Sequence, residues 1–322
     1  MPVLQNRKGY IILRKTKAVK PPRETITWKK IKKHRFVYAM LLPIAAYFIV
    51  FSYYPLALGL VNSVQDVKML GGATFCGLNN YISVLSNPLY SQAFINSLIV
   101  GVGTFMLQFV WGLAIALLLN EVRSKVLKSV IQSVTYIPYL LSWSVVGGLW
   151  MMLFSPSGMV NGFLDMISRG DFQPIVFMSE PQYARAIMIF TGAWKGAGYY
   201  AVLFLAAIVG IDPSIYESAS IDGASRLRQI FQITIPNIVP TMKVVTVLGA
   251  MGVLRNFDQI FIMGTSSILD KVRNLLYLIY TQGITQFKVG PATAGATLVL
   301  IGTLIISAVV RKAIRYDDTY ED

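Results

Sequence analysis

Few residues of this chain can bind or move anything, and most of those lie in apolar surroundings. Lys195 sits inside an apolar run with Trp194 beside it, Tyr199 one helical turn on and Tyr200 adjacent. A cation among aromatic rings suits a sugar, an acidic one included, through hydrogen bonds and ring stacking. The same lysine would equally suit a salt bridge to another segment, with the rings as packing. A second polar group, Asn256, Asp258 and Gln259, interrupts a later apolar run. It fits a path lining or a gate, or hydrogen bonding between helices, and Asp258 has Arg255 and Lys195 as candidate partners. The single cysteine, Cys76, and single histidine, His34, exclude an internal disulfide framework, a Cys/His metal centre and a histidine-based triad. No Gly-x-x-x-x-Gly-Lys-Ser/Thr run occurs, so the chain lacks the known loop for cradling ATP phosphates. No catalytic residue and no bound cofactor are expected.

The elements that must hold these residues are membrane helices. Of 322 residues, 55% are hydrophobic and 14% charged, and mean hydropathy is +0.57. Soluble domains carry about 25% charged residues. A spanning helix needs roughly 20 mainly apolar residues. Six runs qualify, at about 36–60, 93–119, 130–154, 183–209, 238–263 and 291–310, so the expected fold is an all-α polytopic membrane protein. Pro43, Pro55, Pro138 and Pro240 mark kinks or ends that neighbouring helices can accommodate. Gly192/Gly196 and Ala292/Ala296 are small-residue spacings suited to close helix packing.

Basic residues then orient the spans. Of 29 Lys and Arg, 20 fall before the first run, in 120–129, in 210–237 or after 310, against five in the opposite loops. The positive-inside rule places both termini in the cytoplasm. The net charge of +14 therefore needs no nucleic-acid partner. Residues 1–35 form a basic cytoplasmic segment, without the features of a cleaved signal. The stretch 28–36 is a candidate helix on the anionic inner membrane surface. The spanning domain is 36–310, and 311–322 is an acidic tail. Among the external loops, 155–182 has room for a short re-entrant piece.

The stretch 211–237 is the unusual cytoplasmic feature. Asp212 is an N-cap candidate and Pro213 fits the first helical position. Glu217 suits the positive end of the helix dipole, and Gly223 gives a position where one short helix ends and a second begins. Leu227, Ile230, Phe231 and Ile235 recur at helical spacing, and Pro236 and Pro240 bracket the entry to the fifth span. A projecting helix pair of this kind is a lever for a cytosolic partner, where an idle connector would be shorter.

The run Tyr216-Glu-Ser-Ala-Ser-Ile-Asp-Gly-Ala224, followed by Phe231-x-x-Ile-Thr-x-Pro236-x-x-x-Pro240, resembles the EAA loop of binding-protein-dependent ABC importer permeases, their carbohydrate branch above all. Ser218 stands where that loop usually has alanine. Tyr136-x-Pro138-x-x-x-Ser142, Trp150-x-x-x-Phe154, Gly158-x-x-Asn161 and Asn256-Phe-Asp-Gln-Ile-Phe261 are similar to stretches of sugar permeases. Length and the basic N-terminus look most like the LplB-like oligosaccharide permeases of Gram-positive bacteria.

The resemblance implies a type I ABC importer permease fold in a bacterial cytoplasmic membrane. It implies two copies of a cytosolic ABC ATPase using ATP and Mg, a second permease (a different one, giving a heterodimer), an extracytoplasmic solute-binding lipoprotein and a carbohydrate substrate. ATPase coupling would fall to Glu217, Ser218, Ala219, Asp222, Gly223 and Ala224. The substrate path or gate would take Lys195, Trp194, Tyr199, Asn256, Asp258 and Gln259. The basic outer loop and Lys195 favour an anionic oligosaccharide. An ion- or proton-coupled secondary transporter, with Lys195 and Asp258 as coupling residues, is the alternative.

Overall fold

A computed structural model describes residues 35–67, 71–170 and 172–316. The surface helix expected before Phe36 lies almost wholly outside them, as does the acidic tail beyond Tyr316. Five helices among the described residues are long and apolar enough to cross a bilayer: Arg35–Ser63, Pro88–Glu121, Pro181–Val209, Arg226–Gly252 and Val289–Ala313. The pair Lys125–Leu140 and Trp143–Leu153, bent by 100°, makes a sixth if counted as one broken span.

Contacts divide the chain into two units, 1–56 and 57–322. In the first, α1 (Arg35–Phe48) carries Pro43 inside it and buries none of its residues. A π-turn, Ile49–Tyr53, leads from α1 into α2 (Tyr54–Ser63). In the second unit a short antiparallel hairpin pairs β1 (Gln65–Val67) with β2 (Ala73–Phe75), and α3 (Asn79–Ser86) follows. Then come α4 (Pro88–Glu121), α5 (Lys125–Leu140), α6 (Trp143–Leu153), α7 (Met159–Ile167) and α8 (Pro181–Val209). The segment α9 (Pro213–Ile221), α10 (Arg226–Gln229) and α11 (Ile235–Gly252) leads through a break to α12 (Asp258–Met263). α13 (Leu269–Val272), α14 (Leu275–Tyr280) and α15 (Val289–Ala313) complete the order.

The structure corrects the expected elements in four places. The third is two helices rather than one: Pro138 removes a backbone donor near the end of α5, and Ser142 starts α6 by accepting the Val145 N–H. The fifth ends at Gly252, because residues 253–257 leave the helix before α12 begins. The expected second cytoplasmic helix is no separate body. α10 continues through a π-turn, Ile230–Thr234, into α11, and Pro236, which has no N–H to donate, follows directly after that turn. The stretch 264–290, expected as an outer loop, is largely helical, and Leu275, Leu278 and Gln282 are buried there.

α8 is the central helix, with 50% of its most apolar stretch buried. Small residues let its neighbours approach. A Cβ at Gly192 would lie 2.9 Å from the Thr104 side chain, and one at Gly196 would lie 2.1 Å from Gln108 Nε2. Gly112 and Gly249 admit Tyr200 and Phe105 in the same way. Of the other small pair, Ala292 is buried against Gly283, whereas Ala296 is exposed and Gly295 meets Tyr90 instead.

At Gly198 the added carbon would come within 2.1 Å of the Thr135 carbonyl, which is backbone and cannot swing aside. Gly198→Ala is expected to cost about 1–3 kcal/mol by overpacking. Gly148→Ala, which meets nothing within 4 Å, should be close to neutral. Thermal unfolding of the two variants in detergent checks this, and equal midpoints would contradict the close α5–α8 packing.

Candidate functional site: a polar path and a coupling segment

Two interruptions of spanning helices create the polar part of the interior. Where α5 stops, its last carbonyls lose their intrahelical partners. Lys195 of α8 donates to two of them, Pro138 at 3.2 Å and Tyr139 at 2.9 Å. Its ammonium also lies 5.5 Å from the Tyr139 ring and 5.6 Å from the Trp143 ring, one on each side of the break. A cation at a helix C-terminus opposes the negative end of the dipole, and ring faces add to its attraction.

The second interruption, 253–257, is tied down by amides. Asn274 donates to the Asn256 carbonyl. Asn256 Nδ2 donates to Gln259 Oε1 at 2.8 Å, and Gln259 Nε2 donates to the Met188 carbonyl at 2.7 Å and to Thr191 Oγ1 at 2.9 Å. Gln259 is completely buried, so these bonds fix α12 to α8. Farther out, the buried Asn96 of α4 holds α13 by donating to the carbonyls of Asp270 and Arg273, while accepting from Arg185 Nη2 at 2.8 Å.

Two cavities open beside these tethers. One of about 220 Å³ is walled by Thr104, Gln108, Asn256 and Gln259 together with Trp143 and Tyr200. Thr104 Oγ1 has no hydrogen-bond partner there although solvent does not reach it. The other, of about 290 Å³, shares Gln108, Tyr200 and Leu248 and adds Tyr139 and Tyr199. Tyr139 and Tyr199 stack at 4.7 Å. Amides next to flat aromatic walls are the chemistry that hydroxyl-rich rings bind.

Of the residues singled out from sequence, Asn256 and Gln259 line the first cavity and Tyr199 the second. Lys195 stands behind the Tyr139 and Trp143 rings rather than in either wall. Trp194 faces a separate apolar cavity with Trp111 and Val134, and packs edge-on to Trp150 at 5.3 Å. Asp258 is exposed at the start of α12; among the described residues it makes no ion pair at contact distance with Arg255 or Lys195, although its charge acts on Lys195. The sequence reading missed Thr104, Gln108, Tyr139 and Trp143. Gln108, an amide in the middle of the apolar run of α4, was the available signal; it donates to the Gly192 carbonyl at 2.9 Å.

The segment 211–237 is built as its residues dictate. Asp212 accepts the Ser214 N–H at 2.9 Å and Pro213 opens α9. That backbone hydrogen bond holds the Asp212 carboxyl below its ordinary value. At the other end Ala224 N–H bonds the Ala219 carbonyl at 2.9 Å and Gly223 N–H the Ser220 carbonyl at 3.1 Å. With Gly223 at φ +77°, this is a Schellman ending, which glycine accepts without strain. Glu217, Ser218 and Asp222 are exposed, and Ala219 and Ala224 are half-buried. Asp222, Ala219, Ala224 and Arg228 rim a hollow of about 210 Å³. Ile221 is 87% exposed, Leu227 67% and Phe231 66%, an apolar surface left uncovered on a short, firmly ended helix pair.

The sequence profile of the family described as "Binding-protein-dependent transport system inner membrane component" matches residues 108–314. The polygalacturonan/rhamnogalacturonan transport system permease protein YteP of Bacillus subtilis is 29% identical over 294 residues, covering 90% of this chain and 91% of that protein. Protein LplB of Bacillus subtilis is 30% identical over 289 residues, covering 87% and 89%. A chain from the crystal structure of a bacterial alginate ABC transporter, in complex with alginate pentasaccharide-bound periplasmic protein, superposes with a TM-score of 0.81. It is 30% identical, and the match covers 88% of this chain and 96% of that one. The chain therefore belongs to the family of binding-protein-dependent transport system inner membrane components, as a multi-pass membrane permease that is not itself an enzyme.

Proposed function

We propose that the chain is one of two different permease subunits in an ATP-driven importer for a uronate-bearing oligosaccharide. An external binding lipoprotein delivers the sugar, and two cytosolic ATPase copies, using ATP and Mg, drive the cycle. Both termini and the segment 211–237 lie on the cytoplasmic side in this reading, as the distribution of basic residues requires.

One observation carries it. The exposed α9 connects through α10 and α11, as an unbroken helical rod from Arg226 to Gly252, to the interruption that walls the polar cavity. A push on α9 by an ATPase is thereby delivered at Asn256 and Gln259. Glu217, Ser218, Ala219, Asp222, Gly223 and Ala224 form the part the ATPase grips, with Ile221 and Phe231 supplying apolar contact.

The acidic character of the cargo rests on Lys195. Its ammonium stands behind the Tyr139 and Trp143 walls and gives the path a fixed positive charge. Alginate and polygalacturonan, the sugars named for similar proteins, are polymers of the opposite, negative charge. Tyr199, Asn256 and Gln259 line the path in this reading, with Gln108, Thr104 and Tyr200 beside them. Trp194 packs behind it, and Asp258 stands at its outer rim as a gate residue.

Purification of the tagged chain from its native membrane in mild detergent should bring an ABC ATPase, a second permease and a lipoprotein with it; recovery of the chain alone would contradict the assembly. Glu217→Lys and Gly223→Pro should leave insertion intact and abolish most ATP-driven uptake, measured in proteoliposomes, and normal uptake by both would remove the coupling role. Lys195→Gln should weaken competition by uronate oligosaccharides on the order of tenfold more than competition by neutral ones. Equal losses for both would show that Lys195 serves the helix break alone.

A further inference from the structure

α9 is only nine residues long and none of its side chains is buried, so packing alone does not fasten it to the rest of the molecule. Its polar contacts, however, close on themselves. The Tyr216 hydroxyl and Thr234 Oγ1 are 2.9 Å apart, and Thr234 Oγ1 in turn donates to the Gln229 carbonyl at 3.4 Å. The side chain of Gln229 donates to Ser220 Oγ at 2.9 Å, and Ser220 Oγ donates to the Tyr216 carbonyl at 2.8 Å. The direction of each proton follows: with Thr234 donating to a carbonyl, Tyr216 is the donor to Thr234. Tyr216, Thr234, Gln229 and Ser220 thus form a closed circuit joining both ends of α9's hydroxyl-bearing face to the foot of the fifth span. A second bond, from Gln229 Nε2 to the Ala224 carbonyl at 3.3 Å, includes the turn after Gly223.

The circuit encloses the π-turn. Ile230–Thr234 carries one residue too many for a regular helical turn, and Ile235 N–H reaches back to the Ile230 carbonyl. Such a turn is where a rod would bend under load. Thr234 and Gln229, the two residues flanking or ending it, are 2% and 5% exposed, whereas Leu227 and Phe231 between and beside them face outwards. Thr234 and Gln229 are the buried members, so drawing Tyr216 and Ser220 away would leave their buried polar groups short of partners, which is costly.

We propose that Tyr216, Thr234 and Gln229 are positioning residues that lock α9 to α11 across the π-turn, so that displacement of α9 reaches the cavity wall instead of being absorbed at Ile230–Thr234. The proposal rests on α9 being the ATPase contact. It assigns no contact with the ATPase to these three residues, whose hydrogen-bonding groups face the span's own foot.

The test uses the full complex with its native ATPases and reads hydrogen exchange with and without ATP plus vanadate, so no transported sugar is needed. In the wild type, trapping should change exchange both in 213–221 and in 252–259. Tyr216→Phe and Thr234→Val should keep the ATPase bound and keep the response of 213–221. Both should lose the response of 252–259 by about threefold or more. The double variant should be no worse than either single one, since both remove the same bond, and Thr234→Ser should restore the wild-type response. A response at 252–259 that survives both substitutions, or losses that multiply in the double variant, would overturn the lock. A wild-type complex in which 213–221 does not respond at all would instead overturn the ATPase contact on which it rests.

Discussion

A bilayer offers a backbone no hydrogen bonds, and that single constraint shapes the interior of this protein. Each interruption of a spanning helix frees carbonyls that must be answered from within. Lys195 answers the end of α5, and Asn274 answers the stretch after Gly252. Gln259 crosses from α12 to α8. These side chains are polar because the helices are broken, and the helices are broken where the cavities lie. Path and tether are therefore one design: the groups that make the interruptions tolerable also surround the space that the interruptions create.

The same constraint explains the placement of small residues. A half-buried amide such as Gln108 can reach a helix carbonyl on α8 only if that helix presents no side chain in the way, and Gly192 and Gly196 clear the space. At the other end of the rod the rules are those of water. α9 is held by an Asp cap, a first-turn proline and a glycine in the left-handed region, because its exposed residues gain nothing from burial. Its apolar residues stay uncovered, as a permease waiting on a separate motor subunit would leave them.

Much of this was legible in the sequence. Apolar run length located the spans, and Asp212, Pro213 and Gly223 bounded the short helix α9 because caps act locally. The breaks were not legible, because Pro138 reads alike as a kink or an end until Lys195 is seen to fill the freed carbonyls. Residues 253–257 contain neither proline nor glycine, and the group that satisfies the Asn256 carbonyl, Asn274, lies 18 residues away in sequence. Trp194 and Tyr199 are five residues apart and were read as one aromatic group, yet they face different cavities. Tyr139 and Trp143 were hidden for a related reason: aromatic residues at a helix end look like packing until the opposite helix is in place.

Uptake by the purified complex, reconstituted in liposomes with its ATPases and binding protein, bears most directly on whether the broken spans are worked by the cytoplasmic lever. Accumulation of a labelled uronate oligosaccharide that requires ATP on the ATPase side, ignores ion gradients and is lost in Glu217→Lys is the expected result. Accumulation driven by an ion gradient without ATP, unaffected by that substitution, would contradict it.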